Sequence, residues 1–109
     1  MIGCALRFYM HEDQKHKGRP LYDWLLDQAR HAGIHGGSAF RAIAGFGRHG
    51  RIHEQMFFEM ASSLTVMVEF VVSKDEADRL IAIAEEDKAA LFWSRYQVEY
   101  GSTVPHVGK

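Results

Sequence analysis

The sequence predicts an α+β domain: one four-stranded antiparallel sheet with two helices on one face. Three observations carry this. Four segments alternate apolar and polar side chains with period two, the mark of half-buried strands. Two segments repeat apolar residues at three- and four-residue spacing, the mark of amphipathic helices. Their order along the chain is β-α-β-β-α-β, and each helix leaves one strand and returns to another, so right-handed crossovers place both on the same side of the sheet. That is the split βαβ, ferredoxin-like arrangement.

The first strand runs from Ile2 to Met10, with Ile2, Cys4, Leu6, Phe8 and Met10 on one side and Gly3, Ala5, Arg7 and Tyr9 on the other. His11–Arg19 is polar and reads as a loop. Pro20 suits the first turn of a helix, where its missing N–H costs nothing. Leu21, Leu25, Ala29 and Ala32 then form one stripe with Trp24 beside it, and Gly33 stops the helix. Ser38–Ala44 reads as the second strand, with Phe40 and Ala42 opposite Ala39, Arg41 and Ile43. The stretch Gly45–Ser63 is long for a connection inside a small domain, which marks it as functional. Met56–Met60 within it is apolar enough to extend the flanking strands. Leu64–Val72 is the strongest strand, its core side being Leu64, Val66, Val68, Phe70 and Val72. Ser73 and Glu76 make a capping box. The helix they open carries Ala77, Leu80, Ile81 and Ala84 and fades at Glu86–Lys88. The link Ala89–Ser94 leads to a last strand, Arg95–Tyr100, in which Tyr96, Val98 and Tyr100 are expected on the core side. Residues 1–100 thus form the domain, and 101–109 read as a flexible C-terminal tail.

With the helices on one face, the other face is expected to carry Arg7, Tyr9, Arg41, Met67, Glu69, Gln97 and Glu99. Arg7 or Arg41 can pair with Glu69 or Glu99 on neighbouring strands. Tyr9, Met67 and Val71 suit open water poorly, which favours self-association through this face.

Composition limits the function. The chain has 109 residues with 13 basic and 14 acidic side chains, a formal net charge of −1, which argues against nucleic acid as a partner. No apolar run approaches the roughly 18 residues of a membrane span. The start, Met1–Arg7, lacks a basic region followed by an apolar run. The expectation is a cytoplasmic protein without membrane insertion. A single cysteine, Cys4, excludes an internal disulfide and reads as a buried thiol.

Several segments together resemble a bacterial and archaeal family of unknown function, domain of unknown function one-ninety, described as PII-like. They are Met10-His11-Glu12-Asp13, Lys17-Gly18-Arg19-Pro20-Leu21-Tyr22, Phe40-Arg41-Ala42-Ile43-Ala44-Gly45-Phe46-Gly47, Arg51-Ile52-His53 and Val68-Glu69-Phe70-Val71. The likeness spans about residues 4–100, with Ala44 a departure from the motif; the strict PII phosphate-binding and uridylylation signatures are absent. The resemblance implies a signalling protein that is usually a homotrimer, with 45–63 as the signalling loop that meets a regulated partner protein. PII proteins bind adenine nucleotides in clefts between subunits near the base of that loop.

The residues themselves fit an anionic effector. Gly45, Phe46 and Gly47 let the backbone approach a ligand closely. Arg48 and Arg51 offer guanidinium forks to phosphate or carboxylate. His53 can bond a base, a phosphate or a backbone carbonyl, and Lys88 can lend a positive charge. A tight turn with solvated arginines explains the same pattern without a ligand, and GxG alone is a weak signal. The PII resemblance makes an adenine nucleotide one candidate effector without fixing its identity, and no resident cofactor is expected. No nucleophile elbow, paired carboxylates or Cys–His arrangement is present, so no catalytic residue is assigned and the chain is not expected to be an enzyme. A metal-binding, CutA-like trimer and a small ferredoxin-like enzyme are the rival readings. The seven histidines carry no HExxH or Cys/His cluster, so no metal site is assigned.

Overall fold

The computed structural model describes residues 1–46 and 64–104. Strand β1 spans Ile2–His11. A small hairpin follows, β2 at Lys15–His16 and β3 at Arg19–Pro20. Helix α1 is Leu21–His31. Strand β4 is Ser38–Arg41 and β5 is Thr65–Val72. Helix α2 is Lys74–Glu86 and β6 is Phe92–Glu99. The main sheet has the order β4-β5-β1-β6 with every pair antiparallel. This is the ferredoxin-like α+β fold.

The alternation in β1 and β5 dictates the core. Cys4, Leu6, Phe8 and Met10 lie across from Val72, Phe70, Val68 and Val66, so all eight share one side of the sheet. They pack with Leu21, Trp24, Leu25 and Ala29 of α1 and Ala77, Leu80 and Ile81 of α2. Phe8 meets Phe70 edge-on, with ring centroids 6.2 Å apart.

The caps follow the sequence. Ser73 Oγ accepts from the Glu76 amide at 3.1 Å, and Glu76 Oε1 accepts from the Ser73 amide at 3.0 Å. Pro20 is the residue before α1 rather than its first member. Gly33, at φ +88°, ends α1 in the left-handed conformation that glycine adopts without a Cβ clash.

The edge strands correct the expected faces. Strand β6 begins at Phe92, three residues earlier than the pattern predicts, and its parity is reversed. Arg95 lies opposite Leu6 and Gln97 opposite Cys4, on the helix side, while Ser94 lies opposite Arg7 and Tyr96 opposite Ala5, on the open side. Arg41 lies opposite Val66, also on the helix side, whereas Phe40 lies opposite Met67 on the open side. So Arg41, Gln97 and Glu99 leave the open face, and Phe40, Phe92, Tyr96 and Val98 join it. The physical reason is the polar partners that the helix side offers at the rims. Arg95 Nη1 reaches Asp78 of α2 at 2.7 Å, and Arg41 Nε reaches Glu12 at 2.7 Å.

The open face is therefore more apolar than expected. Phe40, Tyr9, Met67, Val71, Phe92 and Tyr96 surround one ion pair at its centre. Arg7 Nε donates to Glu69 Oε2 at 2.9 Å, and Arg7 Nη2 donates to the Tyr96 hydroxyl at 2.8 Å. The guanidinium carbon also lies 5.1 Å from the Tyr96 ring centroid. These contacts hold the Arg7 guanidinium above its ordinary value, chiefly through the Glu69 hydrogen bond.

Candidate ligand site at the loop end of the sheet

One end of the sheet gathers the chain segments singled out by the sequence. At this end His11 pairs with Thr65, Arg41 with Val66, and Tyr9 with Phe92. The connection from β4 to β5 and the link from α2 to β6 therefore both open here. The base of the β4–β5 connection is fixed by backbone bonds. The Ala42 amide donates to Thr65 O at 2.8 Å, and the Glu12 amide donates to Leu64 O at 3.0 Å. Beyond Ala42 the chain turns outward. Ile43 is 96% and Phe46 100% exposed, and among the described residues none beyond its chain neighbours lies within 4 Å of where a Cβ on Gly45 would stand.

Lys88 follows α2 at this same end. Its φ of +55° places it in the left-handed region, with its amide bonded to Glu85 O at 3.1 Å. A non-glycine residue in this conformation carries local strain. Gly47, Arg48, Arg51 and His53 lie outside the described residues, as does the strand extension expected at 56–60.

The strand order separates what the sequence grouped. Gly45 and Phe46 follow β4 at one edge of the sheet, and Lys88 precedes β6 at the other. Three strand spacings, about 14 Å, lie between those edges.

Residues of 12–20 also reach this end, a contribution that the sequence does not announce. His16 Nε2 lies 2.7 Å from Asp87 Oδ2, and Lys17 Nζ lies 3.1 Å from the same carboxylate. Gln14 Nε2 donates to Ala90 O at 2.8 Å. The detectable signals are Lys17-Gly18, a two-residue turn, and the acidic run Glu85-Glu86-Asp87 at a helix C-terminus, which calls for cations nearby.

His16 and then Lys17 hold the Asp87 carboxyl below its ordinary value through hydrogen bonds. A carboxyl depressed in the folded state contributes stability above its unfolded value, near 4, and loses that contribution as pH falls toward the folded value. Asp87→Asn is therefore expected to lower the melting temperature at pH 6, and the gap to wild type should close below about pH 4. Thermal melts by circular dichroism across that range check this; a gap that stays constant down to roughly pH 2.5 removes the assignment.

Elsewhere, a cleft of about 400 Å³ beside the start of β4 is lined by Asp23, Asp27, Arg30, Gly37 and Phe70. Its carboxylates are already engaged: Arg19 bonds Asp23 at 2.7 Å and Arg30 bonds Asp27 at 2.6 Å. Among the described residues no group of three histidine, cysteine, aspartate or glutamate side chains gathers as a metal site. Cys4 is buried, as expected. No helix of the described residues is long and apolar enough to cross a membrane.

The fold and its loop end define a protein with the architecture of the PII-like group. The structure is similar to that of a PII-like signaling protein from Thermus thermophilus, with a TM-score of 0.55, 17% identity and 89% of each chain covered. It is also similar to CPII, a nitrogen regulatory PII-like protein from Thiomonas intermedia whose structure holds ADP, AMP and bicarbonate. That match has a TM-score of 0.57 and 14% identity, and covers 95% of this chain and 100% of the other. The chain belongs to the DUF190 family, described as Uncharacterized ACR, whose model matches residues 3–91. A UPF0166 protein of Aquifex aeolicus is 39% identical over 83 residues, 76% of either chain. A UPF0166 protein of Methanocaldococcus jannaschii is 26% identical over 76 residues, 70% of this chain and 69% of that one.

Proposed function

We propose that this chain is a PII-like regulatory protein, not an enzyme, that assembles as a homotrimer and binds a small anionic effector between subunits. An adenine nucleotide is the first candidate. The CPII relative of the same fold holds ADP and AMP, and the arginines and glycines of 45–53 suit a phosphorylated ligand. The 45–63 segment then presents the bound state to a regulated partner protein.

The observation that carries this reading is the separation of the candidate residues. Gly45 and Phe46 follow one edge strand and Lys88 precedes the other at the same end of the sheet, and those edges are about 14 Å apart. A ligand of nucleotide size touches both most readily where the β4 edge of one copy meets the β6 edge of the next. The apolar open face supplies a reason for copies to meet. Its central charges are already satisfied within the chain by Glu69 and Tyr96, so burying them leaves no unpaired ion. In this arrangement Gly45, Phe46, Gly47, Arg48, Arg51 and His53 come from one subunit and Lys88 from its neighbour.

Thermal melts with ATP, ADP and AMP test the reading. A ligand at 100 times its Kd stabilises by about 2.7 kcal/mol, a rise of roughly 10 °C for a domain of this size. Arg51→Ala and Lys88→Gly are both expected to abolish the rise. Glycine at 88 removes the ammonium while accepting the left-handed backbone, so misfolding does not confuse the result. No rise with any of the three nucleotides, or a full rise in both variants, rejects the assignment.

A further inference from the structure

Between β1 and α1 the chain makes the excursion Glu12–Pro20, and its contacts reach both edges of the loop end. Toward β4, Glu12 pairs with Arg41 at 2.7 Å and donates its amide to Leu64 O at 3.0 Å. Toward β6, Gln14 donates to Ala90 O at 2.8 Å, and His16 and Lys17 hold Asp87. The two ends of the excursion are tied to each other. Gln14 N donates to His11 O at 3.0 Å, and Gln14 O accepts from the Leu21 amide at 2.8 Å. One continuous set of bonds therefore runs from the base of the β4–β5 connection to the α2–β6 link.

The β6 side is electrostatically unfinished without this excursion. Helix α2 ends in Glu85, Glu86 and Asp87 and has no basic residue in its last turn. Negative charge at a helix C-terminus opposes the helix dipole. The missing cation arrives from the hairpin as Lys17, and His16 adds a hydrogen bond to the same carboxylate. Strain collects at the same joint. Among the described non-glycine residues, positive φ occurs at Lys17, 54°, and Lys88, 55°. Lys17 shares its turn with Gly18 at φ +81°, the two-residue geometry that favours asparagine or glycine at both places. Two strained lysines flanking one carboxylate form a joint that can relax when the carboxylate contact is lost.

We propose that Glu12–Pro20 is a strap that couples the base of the β4–β5 connection to the α2–β6 link, with Asp87 as its clasp. Glu12, Gln14 and Asp87 are positioning residues. They fix the relation between the two edges of a subunit, so that a change at one edge alters the other. Each subunit contributes one edge to each of two neighbouring clefts in the assembly proposed above. The strap therefore gives the clefts a route of communication within a single chain. Only this purpose rests on the proposed function; the coupling itself is a property of the chain without ligand.

Amide hydrogen exchange on the full chain, without nucleotide, tests the coupling and is independent of whether any effector binds. Asp87→Asn is expected to accelerate exchange at its own end, at Lys88 and Ala89, and also at the far end, at Glu12 and Ala42, by about threefold or more. Glu12→Gln is expected to act in reverse, accelerating Lys88 and Ala89 by a similar factor. The amides of Phe8 and Val68, inside the central strands, serve as reference and should not respond. A response confined to the mutated end in both variants overturns the strap, and so does acceleration at Phe8 and Val68 equal to that at the far end.

Discussion

Phe8→Ala is expected to cost about 3–5 kcal/mol, enough to remove most of the domain's stability. Phe8 sits in a central strand, between Val68 on β5 and Trp93 on β6, with no exposed surface. Its ring stands edge-on to Phe70, itself only 1% exposed. Truncation removes the transfer free energy of the ring and leaves a cavity. Neighbours held in two strands and two helices cannot collapse to fill it. A domain of this length buries a modest core, so its total stability lies toward the low end of the usual 5–15 kcal/mol. Phe40→Ala makes the comparison. Phe40 is 49% exposed on the open face, and its loss from a single chain should cost below about 1 kcal/mol. Urea unfolding followed by circular dichroism measures both. A Phe8→Ala cost below about 1 kcal/mol contradicts the placement of this residue at the centre of the core.

The contrast between these two phenylalanines also shows which parts of the structure the sequence could reveal. In β1 and β5 the apolar parity and the helix side coincide, because these strands are covered by α1 and α2. Periodicity therefore gave the core side of both strands directly, while their register came only with the structure. The capping box at Ser73 and the glycine stop at Gly33 were legible because each is local chemistry within a few residues. In β6 the same periodicity misled. Tyr96 and Val98 alternate correctly, but a strand at the sheet edge can point its apolar side to either face, and Asp78 draws Arg95 to the helix side. Alternation tells that two sides differ and not which one meets the helices. The hairpin at Lys15–Pro20 escaped notice because its strands have two residues each, too few for a period. The clasp on Asp87 joins residues 71 positions apart, His16 and Asp87, and no pattern in the sequence links them. For the candidate site, residue type and the family resemblance together singled out Gly45, Phe46 and Lys88 as expectations. Their placement on opposite edges required the strand order.

In the trimer proposed above, Met67→Asp is expected to yield folded monomers. Met67 occupies the middle of the open face, in a cross-strand row with Tyr9 on β1 and Phe40 on β4. In a lone chain this position is partly exposed, and an aspartate there should cost about 1 kcal/mol through lost strand propensity and packing, less than the domain's total stability. In an assembly built on this face, every subunit would bury an additional carboxylate. Arg7 is already committed to Glu69 and Tyr96, so it is not free to pair with the new charge. Burying it costs several kcal/mol per subunit, more than a small interface can absorb. Light scattering after size exclusion should report a monomer at micromolar concentration, with the far-ultraviolet dichroism of wild type. The nucleotide melts of the same variant then separate two arrangements. If the effector lies between subunits, the monomer loses the thermal rise although Arg51 and Lys88 are intact. If the rise persists in the monomer, the site is contained in one chain, and the intersubunit arrangement across edges about 14 Å apart is rejected. If Met67→Asp stays assembled, the copies meet elsewhere than the open face. The apolar residues Phe40, Phe92 and Tyr96 would then have to be explained by a different protein docking there.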